Sequence, residues 1–357
     1  MTTKKYIVML QGIGNNESAW AKIISRQGKV FLIQRGTMEH IEIWEWGKCI
    51  FLGPYNKLKK TRIINAILYD PYTILRMIYL TLRFSRGISN LDLIIATSNY
   101  YGMAGLLLKK FGKVRKMVSL LQDYFPIDGS VPVRIYRSFH YCSSRFVAKR
   151  ADQVWQVSPR IKTGLVNPCN YVIPIHINMN KIISGNRSEI AYFGYPTPDH
   201  ALKHLFKVCK EHDIVLNIIG DSPYLSEIKK YSPDNTIFHG FLNDGRITQI
   251  LQKCFCGYAV YLNVGPDNHS YYGIPSKMFR YFASGVPVVT TDIAHFSAKI
   301  PKHGLGELIT PTYDEIEKTI LKIRNNYTIY YDSILNFRSH WNKNVETFLN
   351  ESLKTLL

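Results

Sequence analysis

At 357 residues the chain is too long for one ordinary hydrophobic core and suits two domains of roughly 150 to 180 residues each. With 46% hydrophobic and 20% charged residues and no low-complexity tract, its composition excludes a disordered or fibrous protein. The formal net charge of +19 is lopsided: residues 1–185 hold 27 Lys and Arg against 9 Asp and Glu (+18), residues 186–357 hold 18 against 17 (+1). Such a first half either faces something anionic, a membrane leaflet or a nucleic acid, or carries a solvated basic surface.

The chain opens on Lys4-Lys5 and an apolar run at 6–10, without a cleavable signal pattern. Further buried-strand candidates lie at 30–33, 91–96, 117–121 and 154–157, with helical stretches between them, notably at 57–83 and 131–149. This alternation predicts a parallel sheet wrapped by helices. The nearest approach to a membrane span, 63–82, is interrupted by Asp70, Pro71 and Arg76. A spanning helix needs about 20 mostly apolar residues, so no crossing is expected. Six cysteines show no CxxC pair, and Cys254 and Cys256 sit in an apolar run where packing is the expected role. A reduced compartment and no structural zinc are the reading.

After a short strand at 172–174, a polar stretch up to Arg187 reads as a linker, and the same rhythm restarts. Strands are expected at 190–193, 215–219, 236–239, 257–262 and 286–290, and helices at 201–211, 224–231, 246–253 and 276–284. The tail, 313–357, is mainly helical in pattern, with apolar residues at Ile316, Ile320 and Ile323 and then at Tyr330, Ile334, Phe337 and Trp341. A stripe that outlasts the second sheet suggests a helix crossing back to cover the first domain.

Open parallel α/β sheets bind ligands outside the carboxyl ends of their strands, so the loops after strands are where chemistry is sought. After the first strand come Gly12, Gly14 and Asn15, whose glycines let backbone approach a ligand, although Glu17 stands where a dinucleotide fingerprint has its third Gly. After 117–121 comes Asp123, which can act as general base for a sugar or alcohol hydroxyl or can cap the following turn. In the second half Gly194-Tyr195, Gly220-Asp221 and Gly240-Phe241 each follow a strand. The segment 273–292, GIPSKMFRYFASGVPVVTTD, places Ser276, Lys277 and the first free N–H groups of a helix around one small volume. That is a natural anion site and points to a phosphate-bearing ligand.

Five stretches of the second half, IAYFGYP, LNIIGDSPYLSEIKK, NTIFHGFLNDGRITQILQKCFCGYAVY, YGIPSKMFRYFASGVPVVTTD and HGLGELI, stand in an order that resembles the nucleotide-sugar glycosyltransferases of the GT-B fold. They are most similar to glycosyltransferase family 4 and the related group 1 enzymes of bacterial polysaccharide synthesis. In the first half ADQVWQVSPRIKTGL and YVIPIHIN are similar to the end of that family's N-terminal domain. The resemblance implies two Rossmann-like domains with parallel sheets facing across a cleft. It divides the chain into an acceptor domain at 1–182, a nucleotide-sugar domain at 188–330 and a C-terminal helix at 331–357 packing back on the first domain.

By the same resemblance Ser276 and Lys277 would contact the donor diphosphate or nucleotide, Gly273 and Pro275 would shape the loop, and Gly194, Tyr195 and Gly240 would line the donor site. Two glutamates usual in family 4 are absent, the second being replaced by Arg280, which can pair with phosphate or stand as a solvated helix residue. Tyr195 and His200 stand near the places of a common basic pair. Asp267 and His269 lie just upstream and can supply polar contacts. The implied reaction is a metal-independent, hexosyltransferase-like transfer with a UDP-sugar as the expected donor and no cofactor. Asp123 is the base if it inverts, or an acceptor-orienting group if it retains. The implied acceptor is an oligosaccharide, lipid-linked, met by the basic half at the anionic inner face of the cell membrane from the cytoplasm. The rivals are a catalytically degenerate GT-B partner subunit and a UDP-sugar 2-epimerase, and no nucleic-acid module is present to use the charge.

Overall fold

The computed structural model describes residues 4–11, 17–35, 38–53, 56–57, 64–97, 100–121, 131–161, 170–172, 175–177, 179, 182, 185, 187–266 and 268–357. Contacts divide the chain into two units, Met1–His176 with Asn344–Leu357, and Ile177–Lys343.

The first unit runs β1 (Tyr6–Gln11), α1 (Glu17–Ile24), β2 (Lys29–Arg35), β3 (Met38–Glu45), β4 (Lys48–Leu52), β5 (Asn56–Lys57), α2 (Ile64–Phe84), β6 (Leu91–Thr97), α3 (Tyr100–Lys110), β7 (Val114–Leu121), α4 (Val131–Ala148), β8 (Gln153–Gln156) and β9 (Asn170–Val172). Its strands lie in the order β4-β3-β2-β1-β6-β7-β8-β9, with β5 on β3. From β2 to β9 the pairing is parallel, as the alternation predicts. The strands β3, β4 and β5 add an antiparallel edge that the sequence reading omits. Its signal is present in the chain: Ile41 and Ile43 alternate with polar neighbours, and Trp46-Gly47 links Glu45 to Lys48 with φ of 52° and 76°. Two left-handed residues in a row make the tight turn that matches hairpin twist. Strands β1, β6 and β7 share one core with α2, α3 and α4 through residues such as Leu10, Ile94, Met77, Ala104, Leu108 and Val147. The three helices therefore form one layer, with α3 touching both α2 and α4.

The second unit follows with β10 (Glu189–Phe193), α5 (Leu202–Glu211), β11 (Leu216–Ile219), α6 (Leu225–Lys229), β12 (Thr236–Gly240), α7 (Asp244–Leu251), β13 (Cys254–Ala259), α8 (Ser276–Ala283), β14 (Val288–Thr290), α9 (Lys299–Lys302), β15 (Gly306–Leu308), α10 (Tyr313–Asn325) and α11 (Tyr327–Lys354). All six strands pair in parallel, in the order β12-β11-β10-β13-β14-β15. Strand β13 starts at Cys254, three residues before the expected 257, and every residue in it is buried. A strand covered on both faces shows no alternation from which its start can be read. Cys254 and Cys256 are packed in it as free thiols, and burial drives both thiol pKa values up.

Helix α11 begins in the second unit and ends in the first. Asn342 accepts the N–H of Ile177 and donates to its carbonyl, both at 2.8 Å, whereas Phe348 packs edge-on against Trp155 at 5.6 Å. Among the described residues no helix is long and apolar enough to cross a membrane.

Candidate functional site

Three strands of the second unit end in glycines that the local geometry requires. Gly194 after β10, Gly220 after β11 and Gly240 closing β12 have φ of 132°, 129° and 63°, values that side-chain-bearing residues adopt poorly. They are also stitched together, for Gly194 donates to the carbonyl of Ile219 and Gly220 to that of Gly240, each at 2.9 Å. A Cβ on Gly220 would lie 1.8 Å from the carbonyl oxygen of Gly194, so the loops meet backbone to backbone. The result is a compact rim of main chain at the carboxyl ends of the strands.

Lys277, in the first turn of α8, reaches this rim. A Cβ on Gly194 would sit 3.4 Å from its Cε and 3.6 Å from its Nζ, ordinary contact distances that place the ammonium directly against this glycine, whose φ of 132° is what excludes a side chain. The residue is only 9% exposed. Its Nζ lies 4.7 Å from the ring centroid of Tyr192 and 5.1 Å from that of Tyr261. Among the described residues it has these aromatic faces but no carboxylate, and burial pushes its pKa down to about 7. A cation held this way, desolvated and without a protein anion, is poised for an anion from outside.

The mouth of α8 supplies further donors. Pro275 is its N-cap and has no side-chain cap bond, which leaves the N–H groups of Ser276 and Lys277 without an acceptor among the described residues. Ser276 is exposed and Arg280 half-buried, while every other residue of the helix is buried. The i, i+4 spacing places these two on its one open side. Its opposite side is clamped by aromatics: Phe279 lies 5.0 Å from Phe296 and 5.8 Å from Trp341, which stacks on Phe337 at 5.3 Å. Tyr281 fixes the helix to the sheet, its hydroxyl receiving the N–H of Phe193 at 2.8 Å and lying near the carbonyls of Ala191 and Tyr258. Gly257 makes this possible, because a Cβ there would come within 2.5 Å of the Tyr281 ring.

Arg280 pairs within the protein: its guanidinium is 2.8 Å from the carboxylate of Asp244 at the start of α7, and it rests over the Phe193 ring at 5.6 Å. The loop leading into α8 is tied down by Asp199, whose carboxylate accepts from the N–H of Asn263 at 3.2 Å and from the amide of Asn268 at 3.1 Å. His200 beside it takes the Thr197 N–H on Nδ1 at 3.2 Å, with the hydroxyls of Thr197 and Tyr192 also in reach.

Of the residues singled out from the sequence, Gly194, Lys277, Ser276, Pro275 and Arg280 are thus brought to one place, with Gly240 one hydrogen bond beyond Gly220. Tyr195 projects an exposed ring while its carbonyl accepts from the Tyr192 hydroxyl at 2.8 Å. Gly273 has an ordinary φ and open space where a Cβ would be, so packing does not require glycine there. Asp123, Gly12, Gly14, Asn15 and Asp267 lie outside the described residues, as does the side chain of His269. Tyr192, Tyr261, Asp199 and Asp244 also build the site and are not among the candidates from the sequence. The first two carried a signal, since a tyrosine at the end of a buried strand brings a hydroxyl that needs a partner. Among the described residues no group of three or more His, Cys, Asp or Glu is placed to hold a metal ion.

Residues 194–326 match the family model for the glycosyl transferases of group 1. No curated protein sequence matches the chain. Among solved structures, a sucrose-phosphate synthase from Thermosynechococcus elongatus superposes with a TM-score of 0.72 at 12% identity over 99% of both chains. A glycosyltransferase from Rickettsia africae ESF-5 does so at 0.62, 12% identity and 99% of both. A variant of S. aureus TarM, in complex with fondaparinux, α-GlcNAc-glycerol and UDP, reaches 0.56 at 14% identity, over 91% of this chain and 75% of that one.

Proposed function

We infer that this chain, which has the GT-B fold and matches the group 1 glycosyl transferases over residues 194–326, transfers a sugar from a nucleoside-diphosphate sugar to an acceptor hydroxyl. The observation that carries this reading is Lys277, buried against Gly194, faced by Tyr192 and Tyr261 and lacking a carboxylate among the described residues. A diphosphate seated between its ammonium and the open N–H groups of Ser276 and Lys277 would supply the missing anion.

The chemistry follows from that placement. As the bond between the anomeric carbon and the diphosphate oxygen breaks, negative charge grows on the leaving nucleotide, and Lys277 and the α8 dipole stabilise it without a metal. The acceptor oxygen bonds to the anomeric carbon and gives up its proton. Asp123 takes that proton if the reaction inverts; if it retains, the departing diphosphate oxygen takes the proton and Asp123 orients the acceptor. A UDP-sugar is the donor we favour, because the TarM neighbour was solved with UDP. The acceptor we propose is an oligosaccharide, lipid-linked, met at the inner face of the cell membrane during cell-surface polysaccharide synthesis. The charge of +18 on residues 1–185 supports that part of the reading.

One observation favours a second reading, a degenerate partner subunit: Arg280, at the place of a usual glutamate, is engaged by Asp244. Thermal-shift and hydrolysis assays with UDP-, GDP- and CDP-sugars separate the two. Stabilisation by a nucleotide together with slow donor hydrolysis is the transferase outcome. Absence of nucleotide binding by folded protein would refute it and leave the partner role.

A further inference from the structure

The helical layer of the first unit turns an apolar, arginine-flanked face to solvent. On α2, Tyr72, Leu75, Tyr79 and Leu82 are all exposed, Leu75 to 66%, and their 3-4-3 spacing sets them along one side of the helix. On α4, Val131, Ile135, Phe139 and Phe146 repeat the pattern with Cys142 between them, and Ile135 is 67% exposed. Large apolar side chains at helical spacing belong in a core, and here two such stripes lie outside one, on the two helices that flank α3.

Basic groups accompany each stripe. Arg76 lies 5.3 Å from the Tyr79 ring centroid and Arg83 lies 5.7 Å from that of Phe84 on α2. Arg134 is exposed on α4, and Arg150, just past its end, sits 3.6 Å from the Phe146 ring. Neither α3 nor α4 contains an Asp or Glu, and α2 contains only Asp70. This is the chemistry of a surface that dips into a lipid headgroup region: apolar side chains for the acyl boundary, and arginines beside them for the phosphates. The same face of a second copy is a poor occupant, because it would set bases against bases, the first half holding 9 acids against 27 bases.

We propose that the outer faces of α2 and α4 together form the surface by which the protein docks on, and partly inserts into, an anionic lipid leaflet. The proposal names the contact for the membrane partner of the reading above and needs nothing of its donor chemistry.

Sedimentation of the full-length protein with phosphatidylglycerol-containing and pure phosphatidylcholine vesicles, without nucleotide, tests it. Wild type binds the anionic vesicles at low salt. The pairs Leu75→Gln/Leu82→Gln and Ile135→Gln/Phe139→Gln each weaken binding roughly tenfold or more. Arg76→Gln/Arg83→Gln does the same on anionic vesicles and changes nothing on neutral ones. All three keep the wild-type melting temperature and nucleotide binding. Ile135→Trp acquires emission that is quenched by brominated acyl chains. Equal partitioning of wild type to both vesicle types, variants that bind like wild type, or a self-association that the same substitutions dissolve in the absence of vesicle binding would each overturn the proposal. Because vesicle binding is read without donor, a failed transferase assay leaves this result standing, and the reverse holds too.

Discussion

The guanidinium of Arg280 and the carboxylate of Asp244 lie 2.8 Å apart, joining the second turn of α8 to the first residue of α7. Asp244 is largely solvent-exposed, so the pair contributes only about 0 to 1 kcal/mol to stability. Arg280 is then available to exchange its partner for a phosphate. Asp244→Asn is expected to leave the urea midpoint nearly unchanged and to tighten UDP binding roughly threefold, as the competing carboxylate is lost. Calorimetric titration checks it, and unchanged affinity would make Arg280 a structural residue only.

Burial sets the protonation of Lys277 and through it the pH dependence of stability. Its folded pKa, about 7, lies below the ordinary 10.5 of an unfolded chain, so between those values the unfolded state binds more protons and stability rises with pH. The full shift corresponds to at most roughly 5 kcal/mol, reduced by what the Tyr192 and Tyr261 faces return. Lys277→Met removes a buried cation at similar volume. The variant is expected to melt above wild type at pH 7, with the rise of stability across pH 7 to 10 diminished. Chemical denaturation at several pH values measures both.

Gly220 and Gly273 make a matched pair of tests. Alanine at Gly220 meets the Gly194 carbonyl oxygen at 1.8 Å and is strained at a φ of 129°. A loss of about 3 kcal/mol or more and displaced strand ends are expected. Gly273→Ala meets nothing within 4 Å and is expected to change the unfolding free energy by less than about 0.5 kcal/mol. Equal effects at the two positions would contradict the described rim.

Tyr281 carries a polar load inside the core. Tyr281→Phe keeps the ring over Gly257 but strands the N–H of Phe193, which now donates to the hydroxyl at 2.8 Å. The expected loss is about 1 to 3 kcal/mol. Tyr281→Ala, which also opens a cavity, is expected to lose more, about 3 to 5 kcal/mol. Denaturant unfolding curves distinguish them.

Much of the fold was legible because its signals are local. The β-to-α rhythm of both halves, the buried runs at Tyr6–Gln11 and Leu91–Thr97, and the Ser276–Ala283 helix ahead of Gly285 all follow from periodicity and turn residues. The hairpin of β3 and β4 is less legible although Trp46-Gly47 marks its turn, because β4 is exposed along its whole length and shows no alternation of polar and apolar residues. At the site, Ser276, Lys277 and Gly194 were readable from their positions at a helix start and a strand end. That Lys277 is desolvated by Tyr192 and Tyr261, or that Asp244 claims Arg280, was not. These contacts join residues 16 to 85 positions apart, and only the register of the sheet brings them together. The exposed stripes of α2 and α4 escaped for a related reason, since a 3.6-residue apolar period looks the same whether it faces the core or water.

The central claim, that Lys277 is kept for a diphosphate, is tested most directly by calorimetric titration of UDP into wild type and Lys277→Met between pH 6 and pH 9. A free-state pKa of about 7 means that wild-type affinity falls as pH rises through that value, with protons taken up on binding near pH 8. Lys277→Met binds roughly 10- to 100-fold more weakly at pH 6.5 and shows neither effect. Lys277→Met that binds UDP as wild type does, with the same pH profile, would contradict the account.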